Sequence, residues 1–291
     1  MISRNQDLFA KLQLAMTDEI YKVYNKQSNS IAKLQRANRD KLLNEIAIIM
    51  LKYEISNEYM SLTVGDKREL NTRMGKFINE LFNNEVNEET KIVNDILSDV
   101  SHDTYYSNSF IFNKNKVKHV HDNILKKILD LKIKGEHFSK RIWKNKNNLA
   151  KTIKSKIREF INGNISVNKI TSEIMHRYDV NWNVSRRLVR TEICNVQTHA
   201  NEVWAKNHNI KYQMFMATLD NKTSHRCREL DGNVYDMNDS NKPIPPLHPQ
   251  CRSLLVNMVN KDWKPTSRID NITKQRIDYV TYKEWEKKQN L

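Results

Sequence analysis

Two cysteines and a histidine in the last third of the chain are the residues best suited to chemistry: Cys227, His248 and Cys251. Twenty residues separate Cys227 from His248 and two separate His248 from Cys251, so the set divides into two arms. Two thiolates and an imidazole suit tetrahedral Zn²⁺, and Asp220 or His225 could supply a fourth ligand. Three readings stay open. The first is a structural zinc site. The second is a catalytic metal that keeps its fourth position for water, giving a nuclease or hydrolase built on Asp220, His225, Cys227, His248 and Cys251. The third is two buried cysteines beside a hydrogen-bonded histidine in a small β-rich core. Strong zinc patterns pair two C-x-x-C-like arms, and this one does not.

The elements that must position these residues differ from the rest of the chain. Tyr212, Met214, Met216 and Thr218 follow the period of two that marks a strand. Asp231-Gly232 is a tight-turn signal that feeds a second short strand over 233–235. A loop holding Pro243, Pro245, Pro246 and Pro249 follows, and the apolar run 254–258 reads as a third strand. Upstream, a long helix from about residue 183 carries Val189, Ile193, Val196, Ala200 and Val203 on one face. Arg190, Thr191, Glu192 and Asn195 lie on the same helix; Thr191 and Asn195 share a face, and Arg190 and Glu192 project to either side. Composition alone leaves these four as either a solvated surface or a buried polar cluster.

Asp220-x-x-Thr223-x-x-x-Cys227, then Leu230-Asp231-Gly232, then His248-Pro249-x-Cys251-Arg252 resembles the C-terminal signature of the phage Mu F-like family. Those are head morphogenesis, or minor head, proteins of tailed bacteriophages. Arg190-Thr191-Glu192 and Asn195 match the upstream half of that signature. The motif-bearing part spans roughly 186–252, and the stretches 138–143 and 163–166 are similar more loosely. The resemblance implies a buried polar cluster joining the long helix to the strands, and includes Asp220, which could close a zinc site. It implies a protein without catalytic residues that sits inside the virion and passes through the host cytoplasm during assembly. Its implied partners are the portal protein, double-stranded DNA and, further, a scaffold or major capsid protein. Its implied role is in head assembly, DNA packaging or ejection.

Composition agrees with a helical chain that meets a polyanion. All five prolines lie after residue 242 and only five glycines occur in 291 residues, which argues for long helices. No run approaches the roughly 20 apolar residues of a membrane span, and the N-terminus lacks the apolar core of a signal peptide. Three cysteines, an odd number, point to a reducing compartment with thiols free or metal-bound. Charge is concentrated: residues 114–190 hold 20 Lys/Arg against 6 Asp/Glu, whereas 1–113 hold 14 against 16. Such a block is the footprint of a phosphate-rich partner. Lys126, Lys127, Lys140, Arg141, Lys144, Lys146, Lys151, Lys154, Lys156 and Arg158 are the candidate DNA contacts. Phe138 and Trp143 either pack inward or lie near bound DNA. No base-reading motif is present, so binding is expected to be independent of sequence.

The fold expected is mainly α, with long helices followed by a small C-terminal α+β module containing a short antiparallel sheet. Four regions are expected. Residues 1–113 are near-neutral helices, and 114–185 a basic helical region. Residues 186–260 form the Mu F-like module, and 261–291 a polar tail anchored by Trp263 and Trp285. Leu42, Ile46, Ile49 and Met50 at helical spacing make the first region the favoured portal contact.

Overall fold

A long run without proline lets helices extend for many turns. The computed structural model, which describes residues 2–112, 120–258 and 260–289, contains several of them. They are α1 (Ile2–Gln27), α2 (Asn29–Lys52), α3 (Val64–Phe112), α4 (Asp122–Leu129), α5 (Phe138–Ile161) and α6 (Val167–Asn207). A two-residue hairpin, β1 (Ile55–Ser56) with β2 (Tyr59–Met60), separates α2 from α3. Short elements follow α6: β3 (Tyr212–Met216), α7 (His225–Leu230), β4 (Val234–Asp236), β5 (Leu254–Met258), β6 (Ser267–Ile269), β7 (Arg276–Asp278) and α8 (Tyr282–Lys288). The chain is therefore mainly α with small antiparallel sheets near its C-terminus, as its periodicities imply. Residues 101–112 continue α3, and the boundary expected at 113 lies outside the described residues.

The chain divides into two compact units that interleave in sequence. One comprises Gln27–Asp95 and Lys132–Arg187. In it α2, α5, the 64–95 part of α3 and the 167–187 part of α6 share one core. Leu42, Ile46 and Ile49 meet Leu70, Met74, Ile78, Ile153, Ile157, Phe160, Ile170 and Ile174 there. The turn from α5 to α6 needs glycine: Gly163 has φ +77°, and a Cβ would lie 2.7 Å from the Met60 carbonyl oxygen. Ser166 then caps α6, accepting from the Lys169 amide at 3.3 Å.

Two expectations fail in this core for one reason, the phase of the helices. Leu42, Ile46 and Ile49 are essentially inaccessible, so that face cannot meet a portal. Lys146, read as a DNA contact, lies on the same side of α5 as Ile142, Leu149 and Ile153 and is fully buried. Its ammonium is 2.7 Å from both Glu85 and Glu89 on α3. Asn38 donates to Glu85 at 2.8 Å, and Gln35 bridges Glu89 and Ser185 at 3.0 and 2.9 Å. Two buried carboxylates thus face one ammonium and two amides, a network tolerated because its charges are hydrogen-bonded. Replacing Lys146 with Met should leave both carboxylates without a counter-charge and destabilise this unit by about 3–5 kcal/mol. Chemical denaturation followed by circular dichroism measures it, and the exposed Lys151→Met should change stability by no more than about 0.5 kcal/mol.

Candidate functional site

The second unit comprises Met1–Lys26, Ile96–Leu131 and Leu188–Leu291. Its sheet has strand order β4-β3-β5, antiparallel throughout, with Met214 opposite both Val234 and Val256. Alternation along β3 sends Tyr212, Met214 and Met216 toward Ala10, Val256, Met258 and Trp263. Phe215 and Ala217 turn the other way, toward Cys194, Cys227, Cys251 and Leu255. Both faces of this strand are covered, so the module is built around it.

The 188–207 part of α6 is buried on nearly all sides, which is unusual for a helix rich in Asn, Gln and Thr. Hydrogen bonds make it possible. Asn201 donates to the Leu255 carbonyl at 3.0 Å and accepts from Gln13, Asn108 and Asn257 at 2.9, 2.9 and 2.7 Å. Of the upstream signature residues, Thr191 accepts from the Gln250 amide at 3.0 Å, and Arg190 donates to Asn25 at 2.9 Å. Glu192 and Asn195 are buried beside them. The four residues thus lie at a packed interface with α1 and the proline-rich loop.

The downstream signature forms three separate constellations. In the first, Arg252 holds both oxygens of Asp220 at 2.5 and 2.9 Å, a bidentate pair. Thr223 donates to Asp220 at 3.1 Å, although its closer contact is the Thr218 carbonyl at 2.6 Å. In the second, Asp231 accepts from the amides of Ala217 at 2.6 Å and Tyr282 at 2.7 Å, and from Arg268 at 2.8 Å. Gly232 follows with φ +84°, where a Cβ would press on Thr281 and Tyr279 at 3.1 and 3.2 Å. The third is the set Cys227, His248 and Cys251, whose ligand atoms all lie within 4.8 Å of one another. Cys227 Sγ is 3.3 Å from His248 Nε2 and 3.9 Å from Cys251 Sγ, and the other imidazole nitrogen faces the Pro249 carbonyl at 2.9 Å. All three cysteines carry free thiols. The neighbouring thiols of Cys194 and Cys227 draw the Cys251 thiol below its ordinary range, while the contact with Cys251 and burial push Cys227 up.

Asp220, expected as a fourth metal ligand, therefore stands apart, because Arg252 and Thr223 claim its oxygens. His225 points to solvent, its side chain 89% exposed and 3.9 Å from Glu229. The five residues of the nuclease reading do not converge. Sequence reading also missed several partners. Arg268 falls in the stretch read as a polar tail, and a lone arginine there carries no pattern. Lys242 is buried by hydrogen bonds to Gln213 at 2.7 Å and Glu202 at 3.0 Å, pinning the loop to the sheet and α6. Trp263 and Trp285 are buried anchors, and the Trp285 indole donates to Asp270 at 2.9 Å.

The basic candidates separate by burial. On α5, Lys140, Lys144, Lys151 and Arg158 are exposed, Arg141, Lys154 and Lys156 are half-buried, and Lys146 is interior. Lys126 and Lys127 are exposed on α4, in the other unit. Phe138 packs inward, whereas Trp143 is 51% exposed.

Architecture and site together define a mainly helical protein whose small sheet module is latched by buried polar pairs and carries one cysteine–histidine cluster. Residues 151–256 match the model of the family described as Phage Mu protein F like protein. No curated protein and no solved structure matches the chain.

The latch has a pH signature. Burial alone would raise the Asp220 carboxyl, but the hydrogen bonds and charge of Arg252 hold it below its ordinary 3.8. Asp270 is likewise held down against burial by Trp285 and the amides of Ile272 and Thr273. A depressed folded-state pKa contributes stability that is complete above the unfolded value and is lost as pH falls through the folded one. Denaturation midpoints should therefore drop as pH is lowered below about 4. Arg252→Met should shrink that drop.

Proposed function

We propose that this chain is a minor head protein of a tailed bacteriophage, located inside the capsid, that associates with the portal and contacts double-stranded DNA without reading its sequence. The family match over residues 151–256 carries the head-protein reading. The DNA contact rests on the one-sidedness of α5. Lys140, Lys144, Lys151 and Arg158 recur at intervals of four and seven, opposite the core residues Ile142, Leu149, Ile153 and Phe160. At 1.5 Å per residue the stripe is about 27 Å long, roughly eight base pairs of duplex. Glu136 pairs with Lys144 and lies 3.9 Å from Lys140, so the stripe is only partly neutralised by its own protein.

For the portal, the N-terminal region remains the favoured surface, with a different helix supplying it. Leu8, Leu12, Met16 and Val23 on α1 are 57, 40, 38 and 41% exposed and fall on one face by their spacing. An apolar stripe of this kind gives an interface a desolvated core. No helix of the described residues is long and apolar enough to cross a membrane.

Binding to unrelated duplexes should weaken with salt at a log–log slope near −0.9 per phosphate contact. Replacing Lys140, Lys144, Lys151 and Arg158 together by Gln should flatten the slope by about 3–4 for every duplex alike. Fluorescence anisotropy over a salt series reads this, and an unchanged slope would reject the α5 face. Separately, Leu8→Ser, Leu12→Ser and Met16→Ser together should lower incorporation into procapsids co-expressed with the portal protein. Unaltered incorporation would remove α1 from the interface.

A further inference from the structure

The head-protein reading leaves the Cys227, His248, Cys251 cluster without a role. We propose that these three side chains bind one Zn²⁺ ion, open to water at its fourth position, which ties α7 to the loop that leads into β5.

Distances support it first. Tetrahedral zinc with Zn–S near 2.3 Å and Zn–N near 2.05 Å requires ligand separations of about 3.8 Å between sulfurs and about 3.6 Å between sulfur and nitrogen. The cluster has 3.9 Å between the sulfurs of Cys227 and Cys251 and 3.3 Å between Cys227 Sγ and His248 Nε2. The same sulfur–sulfur distance is far beyond the roughly 2.05 Å of a disulfide. Small shifts of side chains would admit the ion.

The histidine is oriented for the task. With Nδ1–H donating to the Pro249 carbonyl at 2.9 Å, Nε2 is the nitrogen that carries a lone pair, and it is Nε2 that faces the thiols. A backbone carbonyl fixing the remote ring nitrogen is the usual support of a metal-bound histidine.

Electroneutrality is the third argument. Two thiolates and a neutral imidazole around a dication sum to zero, so the two fully buried cysteines would hold no net charge. On binding, each thiol loses its proton to solvent and each sulfur forms one bond to zinc.

The cluster is also anchored on both arms. Ser224 caps α7 by accepting from the Cys227 amide at 3.4 Å. Thr191 holds the other arm through the Gln250 amide at 3.0 Å, and Gln250 has φ +59°, a conformation that needs such support. Cys194 is a neighbour of Cys251 and no part of the site, its thiol directed at the Ser253 carbonyl at 3.8 Å.

The full chain, purified without chelator from zinc-supplemented cells, should contain about one zinc per molecule by elemental analysis. Exchange for Co²⁺ should give the absorption of tetrahedral cobalt with thiolate charge transfer. Cys251→Ser and His248→Ala should each weaken zinc binding by at least about tenfold, whereas Cys194→Ser should keep it. Wild-type protein that holds neither zinc nor cobalt would overturn the proposal, a result that does not depend on any variant folding. Retention of full zinc by both Cys227→Ser and Cys251→Ser would overturn it equally. Loss of zinc from Cys194→Ser with an unchanged circular dichroism spectrum would overturn the choice of ligands.

Discussion

The carboxylate of Asp231 is the point on which the signature unit depends. It sits just after α7, yet its two oxygens reach the end of β3 through Ala217, the start of α8 through Tyr282 and the strand β6 through Arg268. Its side chain has no access to solvent and that of Arg268 is 4% exposed. A buried carboxylate is costly unless every lone pair finds a donor, and here two amides and a guanidinium supply them. Gly232 must follow, because the φ of +84° that turns the chain into β4 leaves no room for a side chain. The pair Asp231-Gly232 therefore fixes where three elements meet.

Polar interiors recur across the chain. In one unit Lys146 is enclosed by Glu85, Glu89, Gln35 and Asn38; in the other, Asn201 gathers Gln13, Asn108 and Asn257. Only 38% of the residues are hydrophobic, so many positions inside long helices fall to amides and charges. Such groups stabilise less than packed hydrocarbon, but each accepts only one arrangement of partners. That constraint holds helices in register where an apolar stripe alone would tolerate sliding.

The division of labour between signature and surface follows from these networks. Asp220, Thr223, Asp231, Arg252 and Thr191 spend their hydrogen-bonding capacity inside the fold, on one another and on backbone groups. The exposed residues that carry the proposed contacts, the cationic stripe of α5 and the apolar stripe of α1, belong to no motif.

Much of this was determined by local sequence. Absence of proline before residue 243 permitted the long helices, alternation from Tyr212 to Met216 specified β3, and Asp231-Gly232 marked its turn. Cys227, His248 and Cys251 were named as candidates from their chemistry and spacing, and the fold brings these three together. Tertiary structure alone decided what depends on phase and on distant partners. Lys146 reads as one more lysine in a basic block, and only the rotation of α5 against Glu85 and Glu89 turns it inward. Leu42, Ile46 and Ile49 read as an available apolar face until the other helices cover it. Asp220 could serve a metal or an arginine by its chemistry, and the course of the chain that delivers Arg252 settles the choice. Arg268, 37 residues from Asp231, had no signal in its own neighbourhood. Periodicity and turn chemistry act over a few residues, whereas the pairing of buried charges is fixed only when the whole chain closes around them.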